Sequence, residues 1–213
     1  MSSDSENKKR IAKNTLFLYG RMLLLLFINL YTSRVFLNAL GVVDYGIYNV
    51  VGGIVAMFSL LSNSLSAAIS RFITFDLGIG DIEKLKKTFS SSVTIQLLLG
   101  IIVIIAVESV GIWFLNNKAV IPEERLNAAH WVLQLSLATF VINLISVPYN
   151  AAIIAHEHFS AFAYISLIEG LGKLAIALSI AFAPFDRLVF YAFLMSFLAI
   201  VVCFLSWFVC TLS

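Results

Sequence analysis

NTLFLYGRMLLLLFINLYTSRVFL, residues 14–37, is apolar enough to cross a bilayer, yet Arg21 and Asn29 lie well inside it. At ~1.5 Å rise per residue the stretch is roughly 35 Å long, which fits a hydrocarbon core of about 30 Å with some interface. It reads as a transmembrane helix with one face that avoids lipid. On a helical wheel Asn14, Arg21, Asn29 and Thr32 gather on one side, while Leu23, Leu24, Leu26 and Phe27 point elsewhere. Arg21 sits only about 10 Å along the helix from Asn14, so two readings of it stand side by side. Its side chain either snorkels back to the head groups or enters a polar cavity. Asn29, near the middle, has no such exit.

The remainder of the chain extends this pattern. Of 213 residues, 61% are hydrophobic and 12% charged, and mean hydropathy is +0.98, far outside the range of a soluble globular domain. The charged residues fall largely in short connectors, so the length suits about six spans with no room for a soluble domain. The expected fold is an all-α, polytopic bundle. A polar tail, 1–13, precedes a lobe, 14–213, with spans at about 14–37, 47–70, 88–115, 124–150, 160–183 and 188–212. No small-residue cleavage site follows MSSDSENKKR, so the first helix is expected to be retained and not removed as a signal peptide. Cys203 and Cys210 lie seven apart on one predicted helix, about 10 Å from each other and too far to bridge. The net charge of +2 gives no sign of a nucleic-acid partner, and no cofactor is expected.

Polar residues recur in stripes on the other predicted spans. On the second, Gly52, Ala56, Ser59, Asn63, Ser66 and Ser70 share a side. Close helix packing through small residues is one reading, and a hydrophilic path through Asn63 and the serines is the other. Between the second and third spans, LGIGDIEKLKK (residues 77–87) carries Asp81 as a helix cap. A short helix along the membrane surface is predicted there, with Lys84 and Lys87 pointing away from Ile82, Leu85 and Phe89. Glu108, near the end of the third span and close to the far interface, has two readings, a hydrated structural residue and a proton carrier, of which the first is favoured. On the fourth, Ser136, Thr139, Asn143, Ser146 and Asn150 line up. The fifth places Glu169 and Lys173 near its centre, one turn apart with the acid first, the favourable order for an intrahelical pair. A pair that only neutralised itself would be better replaced by leucines, so a polar cavity or interhelical network is the expected reason for it. His156 and His158 invite a metal or catalytic reading. At i,i+2 they do not share a helix face, and no acid or cysteine cluster supplies further ligands. No enzymatic site is expected.

Short motifs carry a resemblance. Leu40-Gly41, Asp44-Tyr45-Gly46, the small-residue second helix ending in Ala67-Ala68 and Arg71, then Leu77-Gly78 with Gly80-Asp81 and Lys84 resemble the N-terminal half of polysaccharide transport proteins. These form the O-antigen flippase-like branch of the multidrug/oligosaccharidyl-lipid/polysaccharide exporter superfamily. One departure is the Ser64–Ser66 region, where members commonly carry a glycine. The resemblance implies one six-helix lobe of a two-lobe exporter that works by alternating access. It implies as partners an undecaprenyl-diphosphate-type lipid-linked oligosaccharide, membrane lipid, and a missing second lobe or second copy. Arg21, Asn29, Asn63, Asn143, Glu169 and Lys173 are the expected substrate-binding residues. The setting expected is a bacterial cytoplasmic (inner) membrane. Lys8, Lys9, Arg10, Lys13, Arg71, Lys84, Lys86 and Lys87 fall on one side, against Lys118, Arg125 and Arg187 on the other, so both termini are expected in the cytoplasm.

Competing functions remain open. A drug/cation antiporter of the related multidrug branch would be expected to carry an acid in the first helix, and residues 14–37 hold none. A membrane acyl- or glycosyltransferase would need a convergent His/Asp/Glu site, which His130, His156 and His158 do not supply. A truncated, non-transporting fragment is the last alternative.

Overall fold

A computed structural model describes the backbone of residues 2–183 and 185–212; the side chains of residues 2–14, 17, 18, 61, 181 and 212 lie outside the described set. Asn14 and the basic side chains of the tail are therefore beyond what can be placed. Among the described residues the chain is helical almost throughout, with seven α-helices. These are α1 (Ser2–Ala56), α2 (Ser59–Ile79), α3 (Ile82–Ala106), α4 (Ile112–Asn117), α5 (Glu123–Ala155), α6 (Phe159–Ser179) and α7 (Arg187–Leu212). A π-helical turn, Val107–Gly111, joins α3 to α4, and a 3₁₀ turn, Ile180–Phe182, ends α6. Five stretches are long and apolar enough to cross a membrane: Tyr19–Ala56, Ile82–Asn117, Glu123–Ala155, Phe159–Ser179 and Arg187–Thr211. The protein is a polytopic helical membrane bundle.

Gly41 divides α1. Its φ of 80° and ψ of 172° are non-helical and lie in a region open almost only to glycine. Residues 2–40 therefore form one arm of α1, and residues 42–56 turn back as a second arm. After a break at Met57–Phe58, α2 completes the second traverse. Packing fixes the directions. Ile47, Val51 and Val55 join Val103, Val107, Leu115, Ala129 and Leu133 in the largest core cluster. Ile69 and Ile73 pack with Ala151, Leu85 and Phe89 at the opposite end. The described chain thus makes six traverses between a near end and a far end. The near end holds the start of α1, the end of α7 and the turns at Gly80 and His156–His158. The far end holds Gly41, the loop after Asn117 and the entry to α7.

The predicted spans shift in register for local reasons. The short surface helix expected over 81–87 is instead the opening of α3, which runs without interruption from Ile82. Gly80, left-handed at φ 78°, caps α2 in one tight turn, and the Asp81 side chain accepts from the Lys84 amide to start the next helix. Lys84 does not point away. Its Nζ reaches Asp76 Oδ1 at 3.2 Å, and Thr88 Oγ1 donates to Asp76 Oδ2 at 2.6 Å. Asp76, only 1% exposed, is thus held at the near-end mouth by one hydrogen bond and one ion pair, although its Oδ1 has no hydrogen-bond partner among the described residues. The Thr88 hydrogen bond, with Lys84 beside it, holds its carboxyl below the usual carboxylate range.

A second polar knot sits at the far end. Arg125, in the first turn of α5, donates from Nε to Asp44 Oδ1 at 2.8 Å, from Nη2 to Asp44 Oδ2, and from Nη1 to Asp186 Oδ2. Asp186 also caps α7 by accepting from the amides of Leu188 and Val189. One guanidinium therefore ties the second arm of α1, α5 and α7 together where they leave the bundle. Beneath it Phe36 stacks on Tyr191 at 4.0 Å between ring centroids, with Tyr48 edge-on to both.

Candidate functional site

The first arm of α1 runs parallel to α6. Leu25 and Ile28 lie over Gly170, where an added Cβ would come within 2.7 Å of Leu25 Cδ2, the movable end of that side chain, so the helices pack closely here. The same holds at Gly172 for α7, with Leu198 Cδ1 at 2.7 Å. This closeness decides what Arg21 does. Its Nη2 donates to Ser166 Oγ at 2.5 Å, and its guanidinium carbon lies 4.5 Å from the centre of the Phe162 ring. A snorkelling arginine would reach along the helix toward the head groups. Arg21 reaches sideways onto α6 and is held there by a hydrogen bond and a cation–π contact.

The residues that receive it belong to a longer row. Phe162, Ser166, Glu169 and Lys173 are spaced 4, 3 and 4 residues apart, which places them on one face of α6. Lys173 Nζ donates to Glu169 Oε1 at 2.6 Å, and Glu169 follows Ser166, the partner of Arg21, by one turn. Charges alternate along this face: Arg21 positive, Glu169 negative, Lys173 positive. The Glu169 and Lys173 side chains are 41% and 33% exposed, so the pair is not sealed in the core.

Glu169 and Lys173 open onto a small cavity of about 60 Å³ that Thr139 and Asn143 of α5 and Met195 of α7 also line. Thr139, Asn143 and Met195 are shared with a larger neighbouring cavity of about 220 Å³, bounded by Tyr48, Gly52 and Ala56 of the second arm of α1 and by Ser136. The two form one groove across α1, α5, α6 and α7. Its floor is braced by polar contacts between parallel helices. Thr139 Oγ1 and Ser196 Oγ lie 2.8 Å apart, Ser196 Oγ donates to the Leu135 carbonyl at 2.8 Å, and Ser206 Oγ donates to Asn150 Oδ1 at 3.1 Å.

Three of the six expected binding residues, Asn143, Glu169 and Lys173, line this groove, and Arg21 reaches the same face of α6 through Ser166. Asn29 is exposed on α1 and shares an open trough of that helix with Arg21 and Ser33. Asn63 is exposed on α2 and lines none of these cavities. The reason is the break at Met57–Phe58. A helical wheel drawn from Gly52 to Ser70 assumes an unbroken helix, whereas at Met57–Phe58 the chain passes through a turn in which the Phe58 amide donates to the Val55 carbonyl, three residues back. Gly52 and Ala56 reach the groove, and the residues after the break follow another course. Several serines of the stripes are also spoken for: Ser59, Ser66 and Ser146 donate to the nearby carbonyls of Ala56, Ser62 and Ile142.

Sequence reading missed Phe162 and Ser166, although their spacing from Glu169 was visible. It also missed the Asp44–Arg125–Asp186 knot, whose members are 81 and 61 residues apart in pairs and carry no local signature. His156 and His158 lie in the turn after α5 with ring centres 6.3 Å apart. Among the described residues no group of three or more His, Cys, Asp or Glu side chains gathers as a metal site would require. No family model, curated protein or solved structure matches this chain.

Proposed function

We propose that this bundle is one lobe of a transporter that moves a lipid-linked oligosaccharide of the undecaprenyl-diphosphate type across the bacterial cytoplasmic membrane by alternating access. The observation that carries the reading is the Arg21–Glu169–Lys173 row beside a groove at membrane depth whose mainly apolar lining is broken by Ser136, Thr139 and Asn143. Intramembrane charges are costly and are kept where they meet a substrate or a path. Two cations against one carboxylate leave the row with a net positive charge, which suits a diphosphate. Thr139, Asn143 and Ser136 offer neutral hydrogen-bonding groups of the kind a sugar needs. Arginine's planar fork matches phosphate oxygens, and a low-dielectric surround strengthens the contact.

In this reading the head group enters the groove near Arg21, passes to Lys173 deeper in the membrane, and leaves its prenyl chain in lipid. The groove would be completed by a second lobe or a second copy. Both termini would lie in the cytoplasm, because basic residues are more numerous in the sequence of the N-terminal tail and around the Gly80 turn than in the connectors at the far end.

The test is export of surface glycan in cells whose export depends on this chain. Arg21→Lys is expected to impair it at unchanged protein level, and Lys173→Ala to impair it more. Wild-type export by both variants would remove these charges from any substrate role.

A further inference from the structure

We propose that Glu169 is a resident competitor: its carboxylate occupies the position between Arg21 and Lys173 that a ligand's anionic group takes, and the ligand must displace it to bind. The inference deepens the transport reading and rests on it for the kind of ligand, but the geometry behind it is its own.

Along the α6 face Glu169 lies between Ser166, which receives Arg21, and Lys173. It accepts from Lys173 at 2.6 Å, while Ser166 and Phe162, on the preceding turns of the same helix, hold Arg21 in place. A carboxylate presents the same acceptor type as a phosphate oxygen to the same donors, so the two compete for Lys173. Exposure makes exchange feasible. With 41% of Glu169 and 33% of Lys173 exposed beside the groove, the pair can open without uncovering a sealed core. Ser166 and Phe162 act as positioning residues, because they fix Arg21 from outside the Glu169 contact and keep it in place when the carboxylate leaves.

The consequence is opposite in sign to that of an ordinary binding residue. Removing a group that contacts or orients the ligand weakens binding; removing a competitor strengthens it. A competitor also gives the ligand a way out, since the returning carboxylate replaces the departing anion on Lys173. Loss of Glu169 should therefore tighten binding and slow export together.

The experiment measures binding of inorganic pyrophosphate and of farnesyl diphosphate to the full chain in lipid nanodiscs, with farnesol as the uncharged control. Glu169→Gln is expected to tighten pyrophosphate binding by about three- to tenfold, and Lys173→Gln to weaken it by a similar factor. Glu169→Asp keeps the charge but withdraws it from Lys173. It should shift binding in the same direction by less, and it serves if the glutamine variant does not fold. Equal or weaker pyrophosphate binding by the Glu169 variants would overturn the proposal, as would no binding by any variant. Tightened pyrophosphate binding with no added affinity for farnesyl diphosphate would uphold the competitor and sink the lipid-carrier reading. Strong farnesyl diphosphate binding, equal in wild type and Glu169 variants, would do the reverse.

Discussion

The contact between Arg21 and α6 can be measured as a coupling energy. The perturbations are Arg21→Met, which keeps length and apolar bulk, Ser166→Ala and Phe162→Leu, singly and in pairs. Side-chain hydrogen bonds between membrane helices couple by about 0.6 kcal/mol on average and about 1.7 at most. The 2.5 Å contact to a charged donor belongs in the upper half of that range. The guanidinium 4.5 Å from the Phe162 ring adds about 0.5–1 kcal/mol in a second cycle. Ser166 Oγ also donates to the Phe162 carbonyl at 2.8 Å, so its single mutant changes two contacts, and only the cycle separates them. The assay is reversible unfolding in mixed micelles, with equilibrium free energies for each corner. We expect coupling of about 1 kcal/mol or more between Arg21 and Ser166. Additive behaviour, within the roughly 0.3–0.5 kcal/mol scatter of independent sites, would mean that Arg21 spends its time at the head groups and that its place beside Ser166 is not the working one.

Other perturbations address the frame that holds the groove. Arg125→Gln leaves Asp44 and Asp186 facing each other and should cost about 1–3 kcal/mol in the same unfolding assay, with Asp44→Asn costing less because Arg125 keeps Asp186. Gly41→Ala places a Cβ in a glycine-only conformation and should destabilise by about 1–3 kcal/mol. Gly170→Ala should be tolerated, since the atom it meets is the mobile end of Leu25, whereas Gly170→Ile should separate α1 from α6 and abolish the Arg21–Ser166 coupling. Asp76 has a folded pKa below its unfolded value, so its contribution is present above about pH 4 and is lost as the pH falls further. The difference in stability between wild type and Asp76→Asn should accordingly narrow below about pH 4. For orientation, an impermeant thiol reagent added to intact cells should label Lys118→Cys and spare Lys86→Cys; the opposite pattern would invert the bundle.

What could be read from the sequence follows a physical divide. Hydropathy and helical spacing are local, so the helical class and the approximate positions of the traverses were legible, as were single polar residues too costly to face lipid, such as Asn143, Glu169 and Lys173. The Glu169–Lys173 contact was legible too, because i,i+4 spacing makes neighbours wherever the helix sits. Breaks were harder. Met57–Phe58 carries no proline or glycine, yet it interrupts the second traverse and diverts Asn63 from the cavities that Gly52 and Ala56 line. The near-end turn was misjudged in the other direction: two glycines and a run of lysines suggested a surface helix, while Asp76 draws Lys84 back and the helix continues. Partners far apart in sequence, such as Arg21 with Ser166 or Arg125 with Asp44 and Asp186, depend on which helices lie side by side, and single-helix periodicity holds no record of that.

Photo-crosslinking tests the central claim most directly. A prenyl diphosphate carrying a photoreactive group next to the diphosphate is added to membranes containing the full chain, irradiated, and its adducts mapped by mass spectrometry. The account predicts adducts on the groove, around Arg21, Asn143 and Lys173, that are lost on competition with unlabelled prenyl diphosphate and in Lys173→Ala. Adducts spread over the exposed aliphatic face of α3, at Leu98, Ile101, Ile102 and Ile105, and indifferent to competitor and to Lys173, would contradict it.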